Sequence, residues 1–219
     1  MRVALIHAVV VAMQPIHDAF RRSWPEAELA NILDDSLSRD REKDAELTPA
    51  MFSRIGSLAR YAIESGAQGV LFTCSAFGEA IDAAAAAAKV PVLKPNEAMF
   101  AEALAVGRRV GMLATFAPSV ASMEDEFREM ARQRQADATI ESYCVPGAMA
   151  ALRAGDGAKH DALIAEAAPR FRYCDAILLA HFSTARADAA VSAVMDCPVL
   201  TAPGAAVAKL KSALSRALV

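Results

Sequence analysis

The chain has 219 residues, of which 55% are apolar, enough for one large or two small buried cores. A net charge of −3 without a basic cluster argues against a nucleic-acid face, and no apolar run approaches the roughly 20 residues of a membrane span. Cys74, Cys144, Cys174 and Cys197 are scattered, with no CxxC pair and no histidine at metal spacing, the pattern of a reduced cytoplasmic protein without a zinc site.

The opening stretch "MRVALIHAVVVAM" has the outline of a secretory signal, but His7 interrupts it and the charged start is minimal. It reads instead as a buried strand over 2–9, followed by a helix over 14–23 and a strand over 28–33. "RDREKDAE" (39–46) is mixed in sign and reads as a solvated loop or helix face. A helix over 48–65 then leads to a strand over 68–73, a helix over 77–88, a strand over 90–93 and a helix over 96–106. The six alanines from Ala83 to Ala88 favour a helix that packs closely on a sheet. Gly66 and Gly107 read as helix stops before strands. The second half gives strands at 109–114, 138–144, 175–180 and 197–200, with helices at 118–134, 158–170, 184–194 and 204–217.

The two halves repeat at one offset. "RVALIHAV" starts at Arg2 and "RVGMLATF" at Arg109, and 109 − 2 = 107. "QGVLFTC" ends at Cys74 and "DAILLAH" at His181, and 181 − 74 = 107. Pro91 of "VPVLKP" and Pro198 of "CPVLTA" are also separated by 198 − 91 = 107. Three strand-like segments recurring without slippage imply a duplicated α/β unit, 1–106 and 107–219, with the C-terminal helix free to pack back on the first. Alternating strands and helices imply parallel sheets covered on both faces, with ligands beyond the carboxyl ends of the strands. Cys74 and His181 both occupy that end, so two facing halves would bring them into one cleft.

Cys74 stands between Thr73 and Ser75 where a strand gives way to a helix, a setting that lowers a thiol pKa. The competing reading is a small buried hydrophobe. His181 is its duplicate-related partner and titrates near neutrality, so it reads either as an acid/base group or as a structural histidine. Thr73, Ser75, Thr115, Ser183 and Thr184 surround the strand ends, where hydroxyls either stabilise carboxylate charge or cap helices. Asp34, Asp35 and Ser36 line a site entrance or form a turn, and Lys94, after the fourth strand, reads as a surface lysine in preference to one that meets an anionic substrate. Cys144, Cys174 and Cys197 read as core, while His17 and His160 carry no signal.

"TCSAF" after a buried strand, "VPVLKPNEA" and "RVGMLATFAPSVASMEDEF" resemble the aspartate/glutamate/hydantoin racemase superfamily over nearly the whole chain. The resemblance implies two pseudo-symmetric flavodoxin-like α/β domains with an active site in the cleft between them. It implies a cofactor-independent isomerase, of the racemase or epimerase type, moving a proton on a small carboxylate, amino-acid or hydantoin-like substrate. Cys74 matches the first of the family's two cysteines, and His181 stands where the second is expected. His7 and Ala8 replace the acidic or hydroxyl residue usual after the first strand. Thr115 stands where the family uses a threonine to hold substrate, and Ser36 lies in a loop that often contacts it. A decarboxylase or cis–trans isomerase using Cys74 as its single thiol is the second reading, although the known decarboxylase pattern places its cysteine at the other site. A non-catalytic small-ligand binding protein is the third. No nucleic-acid or membrane partner is expected, and a homo-oligomer is compatible with the short apolar helices.

Overall fold

The computed structural model describes residues 1–44 and 46–216. Ala45, inside the charged stretch, and residue 217 of the expected last helix lie outside the described residues. The chain divides into two units, Met1–Pro95 with Pro203–Val219, and Asn96–Ala202.

The first unit runs β1 (Arg2–His7), α1 (Met13–Ser23), β2 (Glu28–Leu33), α2 (Leu37–Arg41), α3 (Pro49–Glu64), β3 (Gly69–Phe72), α4 (Gly78–Ala87) and β4 (Val92–Leu93). Its sheet is parallel in the order β2-β1-β3-β4. β1 and β3 are almost entirely buried, as continuous apolar strands covered on both faces must be. Thr48 starts α3 by accepting from the Met51 backbone amide, and Pro49 fills the first position, where no amide is needed. Gly66 ends that helix at φ +91°, a left-handed turn that glycine adopts without strain.

The second unit runs α5 (Glu97–Val106), β5 (Arg109–Ala114), α6 (Val120–Gln133), β6 (Thr139–Cys144), α7 (Ala148–Arg153), α8 (Gly157–Ala167), β7 (Ala176–Leu179), α9 (Asp188–Ser192) and β8 (Val199–Thr201). α10 (Ala202–Arg216) follows and belongs, from Pro203, to the first unit. The second sheet is parallel in the order β6-β5-β7-β8. Its register repeats the first: Val3 pairs with Gly69 and Val110 with Ala176, each residue displaced by 107.

Each unit takes the helix that follows its partner's last strand. α5 packs on α6, β7 and β8, and Phe100 meets Phe127 edge-on at 5.7 Å between ring centroids. α10 lays Leu210 and Leu214 over Gly69, and Lys211 Nζ donates to the Ser23 carbonyl at 3.1 Å. The packing boundary therefore falls after Pro95, ahead of the point where the sequence repeat restarts.

Gly107 ends α5 ahead of β5 as expected, its amide donating to the Ala103 carbonyl at 3.2 Å, and a Cβ there would lie 2.3 Å from Asp175 Cβ. Two sequence expectations need correction. The segment expected as one helix over 184–194 is a 3-10 turn, Phe182–Ala187, followed by the short α9. The charged stretch is not wholly solvated, because Arg41 is buried and its Nε donates to the Ala76 carbonyl at 3.3 Å.

Candidate functional site

In a parallel sheet the side chains at the carboxyl ends of central strands are the ones that meet a ligand. In the first unit those strands are β1 and β3, and they deliver His7 and the run Thr73–Cys74–Ser75. His7 is fully buried, its Nδ1 2.9 Å from Thr73 Oγ1 and its Nε2 3.0 Å from Asn31 Oδ1. His17 Nε2 reaches the same Asn31 oxygen at 2.7 Å. Burial lowers the His7 pKa, partly offset by the Asn31 hydrogen bond, and His17 lowers it further. Thr73 Oγ1 also lies 3.3 Å from the Ile6 carbonyl, so this hydroxyl ties β3 to β1.

Cys74 is a free, part-exposed cysteine in extended conformation. The pKa differs from the sequence expectation. Burial pushes the thiol up to about 11, against the hydrogen bond from the Ala76 amide and the positive charge of Arg41. The physical reason lies in the local fold. A three-residue 3-10 turn, Ser75–Phe77, separates Cys74 from α4, so the thiol does not sit at the first turn of an α-helix. The resting group is a thiol, and Arg41 is the cation poised to stabilise the thiolate once it forms. Sequence reading missed Arg41 because it sits among surface charges in the chain.

Ser36 and Lys94 are already engaged. The Ser36 hydroxyl donates to Asp34 Oδ1 at 2.8 Å and accepts from Arg54. Arg54 also binds Asp34 Oδ2 at 2.6 Å and Asp40 Oδ2 at 2.7 Å, which makes the cluster a brace between α3 and the segment after β2. Lys94 is not a surface lysine: its side chain is 11% exposed and pairs with Asp82 at 2.9 Å.

In the second unit β5 and β7 deliver Thr115 and His181. Both are buried, and Thr115 Oγ1 and His181 Nε2 have no protein partner. His181 opens the Phe182–Ala187 turn. Its carbonyl accepts from the Thr184 backbone amide at 3.0 Å, and its own amide donates to Thr184 Oγ1 at 3.0 Å. Thr184 Oγ1 donates in turn to the His181 carbonyl at 2.7 Å, so this hydroxyl is spent on the cap. Ser183 and Ser75 are buried beside the two strand ends. Asn96, at the start of α5, is fully buried with neither amide atom partnered, a feature no sequence pattern signalled. Cys174 lies in the hydrophobic core of this unit and Cys197 packs against it, while Cys144 closes β6. Among the described residues no group of three or more His, Cys, Asp or Glu could hold a metal ion, and no helix is long and apolar enough to cross a membrane.

Burial, aided by His160, brings the His181 pKa down to about 4. The unfolded chain takes up this proton near pH 6.5, whereas the folded chain refuses it until about pH 4. The associated stability is therefore complete above pH 6.5 and falls by about 3 kcal/mol across that window. Urea unfolding at pH 7 and pH 4.5 measures this loss. His181→Asn should lose clearly less on acidification than the wild type; an equal loss would contradict the assignment.

A family model described as Asp/Glu/Hydantoin racemase matches residues 8–180. The chain belongs to the Asp/Glu/hydantoin racemase family. The family match includes Cys74 and Thr115 and stops one residue short of His7 at one end and of His181 at the other. The fold agrees with solved structures. A glutamate racemase from Francisella tularensis superposes with a TM-score of 0.75 at 14% identity, over 99% of this chain and 81% of that one. An allantoin racemase from Klebsiella pneumoniae gives 0.70 at 19%, over 99% and 89%. A cysteine variant of arylmalonate decarboxylase gives 0.63 at 18%, over 98% and 94%. No curated sequence matches the chain.

Proposed function

We propose that this family member is a cofactor-independent isomerase that moves the proton on a carbon next to the carboxyl or carbonyl group of a small carboxylate, amino acid or hydantoin-like molecule. The observation that carries this reading is Cys74 at the carboxyl end of a central strand, with Arg41 buried beside it. In one direction the neutral His181 takes the proton from the reacting carbon, and the resting Cys74 thiol acts as the acid, giving its proton to the carbanion that forms. The thiolate left behind is favoured by Arg41 and the Ala76 amide, and it takes a proton when the reaction runs the other way. His181, at the duplicated position, is its partner in the second unit. Thr115 and Ser183 supply polar groups near that strand end for the charge that grows on substrate oxygens.

The test is chiral chromatography of single enantiomers of amino acids, hydantoins and allantoin after incubation with the protein. Conversion of one enantiomer to a mixture supports the reading. The presence of one thiol rather than two at the paired positions favours a second reading, decarboxylation or double-bond isomerisation with Cys74 as the only thiol. Loss of CO2 from an arylmalonate, or conversion of maleate, would select it. Tight binding of a carboxylate without any turnover would select a binding protein instead.

A further inference from the structure

α2 carries Arg41, the cation beside Cys74, yet it has only five residues. A helix that short does not hold its shape through its own hydrogen bonds, so tertiary contacts must fix where Arg41 stands. Its inward face is Leu37, Ser38 and Arg41, all buried, and Ser38 Oγ donates to the Ala8 carbonyl at 3.2 Å, just past the end of β1. Upstream, the Asp34 amide donates to the His7 carbonyl at 3.0 Å. Downstream, Arg41 Nη1 donates to the Asp44 carbonyl.

The outward side is held from α3 by Arg54. Its Nε donates to Asp34 Oδ2 at 2.6 Å and its Nη2 to Asp34 Oδ1, a two-pronged grip on one carboxylate. Its Nη1 donates to Asp40 Oδ2 at 2.7 Å, and Nη2 also reaches the Ser36 hydroxyl. Lys43 takes the other Asp40 oxygen at 2.8 Å, but Lys43 belongs to the same segment and cannot tie it to another element. Asp40 is the chain neighbour of Arg41. Arg41 Nε donates to the Ala76 carbonyl at 3.3 Å, and the Ala76 amide donates to the Cys74 sulfur. The line from Arg54 through Asp40, Arg41 and Ala76 to Cys74 therefore runs unbroken within the first unit.

We propose that Arg54 is a positioning residue for the Cys74 thiol: by gripping Asp34, Ser36 and Asp40 from α3 it holds α2 in place and keeps the Arg41 guanidinium against the Ala76 carbonyl, beside the sulfur. The effect is one of placement and not of the charge on Arg54, which is already matched by two carboxylates. A lysine would keep the charge but lacks the planar fork, so it would not hold the segment. Without the brace α2 loosens, Arg41 moves off Ala76 into water, and the thiolate becomes harder to form. The consequence for turnover rests on the isomerase reading; the effect on the thiol does not.

The test is the rate at which iodoacetamide alkylates Cys74 in the full chain at pH 8.5, read by mass spectrometry of the Cys74 peptide so that the other cysteines do not enter. Below its pKa a thiol reacts in proportion to its thiolate fraction, so the rate reports the placement of Arg41. Arg41→Gln should slow alkylation about tenfold, and Arg54→Gln about threefold or more. The double variant should be no slower than Arg41→Gln alone, because Arg54 acts through Arg41. Arg54→Lys should be slowed like Arg54→Gln. Arg54 is 33% exposed, so its replacement is compatible with folding. Should Arg54→Gln fail to fold, Asp40→Asn, which removes one arm of the grip, takes its place and should slow alkylation about twofold. A merely structural brace would lower the urea midpoint and leave the alkylation rate alone. Alkylation of the brace variant at the wild-type rate or faster, full recovery in Arg54→Lys, or a double variant slower than Arg41→Gln by the whole Arg54 factor would overturn the proposal. Once a substrate is known, Arg54→Gln should lower kcat about fivefold or more. If no substrate is turned over, the isomerase reading falls and the alkylation rates still decide this one.

Discussion

Cys74→Ser is expected to lower turnover by roughly a thousand-fold or more while the protein keeps its fold. The part-exposed position tolerates the swap, because serine is nearly isosteric and Cys74 caps only a short turn. The chemistry does not tolerate it. A hydroxyl at that position neither gives nor takes a proton near neutrality, and Arg41 has no thiolate to stabilise. Circular dichroism and a urea titration check the fold, and a substrate assay checks the rate; activity within tenfold of wild type would remove Cys74 from the mechanism. With a pKa of about 11, this thiol should also be alkylated at pH 7.5 roughly two orders of magnitude more slowly than a free cysteine of pKa about 8.5. Slow alkylation is therefore compatible with a catalytic role here, because the thiolate is needed only after the proton has been given away.

Gly111→Val is expected to produce the largest loss of stability. Gly111 lies in the buried central strand β5, and a Cβ there would stand 2.6 Å from Phe171 Cγ and 2.8 Å from its Cβ. Phe171 is 1% exposed and belongs to the core of the second unit, so it has no free space to enter. Overpacking of this kind costs about 1–3 kcal/mol for an added methyl, and valine brings three carbons. A clear fall in the urea midpoint, larger for valine than for alanine, is the expected result. The duplicate position in β1 holds Ala4 without difficulty, so the constraint comes from Phe171 and not from the strand itself.

That comparison marks what could be read in the sequence and what could not. β5 falls where the apolar pattern puts it, because a buried parallel strand is a short apolar run bounded by charges and glycines, and the part-exposed edge strand β2 also keeps its expected bounds, 28–33. The duplication was legible because both sheets use the same register. α2 and α7 were not read, since five- and six-residue helices are too short to display a period. The strand ends were legible as positions, which located Cys74, Thr115 and His181. Their chemistry was not, because it depends on contacts distant in the chain. Arg41 meets the Ala76 carbonyl across 35 residues, and His7 meets Thr73 across 66. The thiol pKa was misread because a 3-10 turn and an α-helix begin from the same residues in a sequence. Arg54 was passed over because an arginine on a helix looks like a solvated charge until its pairing with Asp34 and Asp40 is known.

The most direct test of the central claim is proton NMR in heavy water. Amino acids, hydantoins, arylmalonates and maleate would each be incubated with the wild type and with Cys74→Ser. An isomerase working through Cys74 predicts that the Cα–H signal of at least one substrate class disappears with the wild type and persists with the variant. No exchange across the panel, or equal exchange with both proteins, would contradict proton transfer by Cys74.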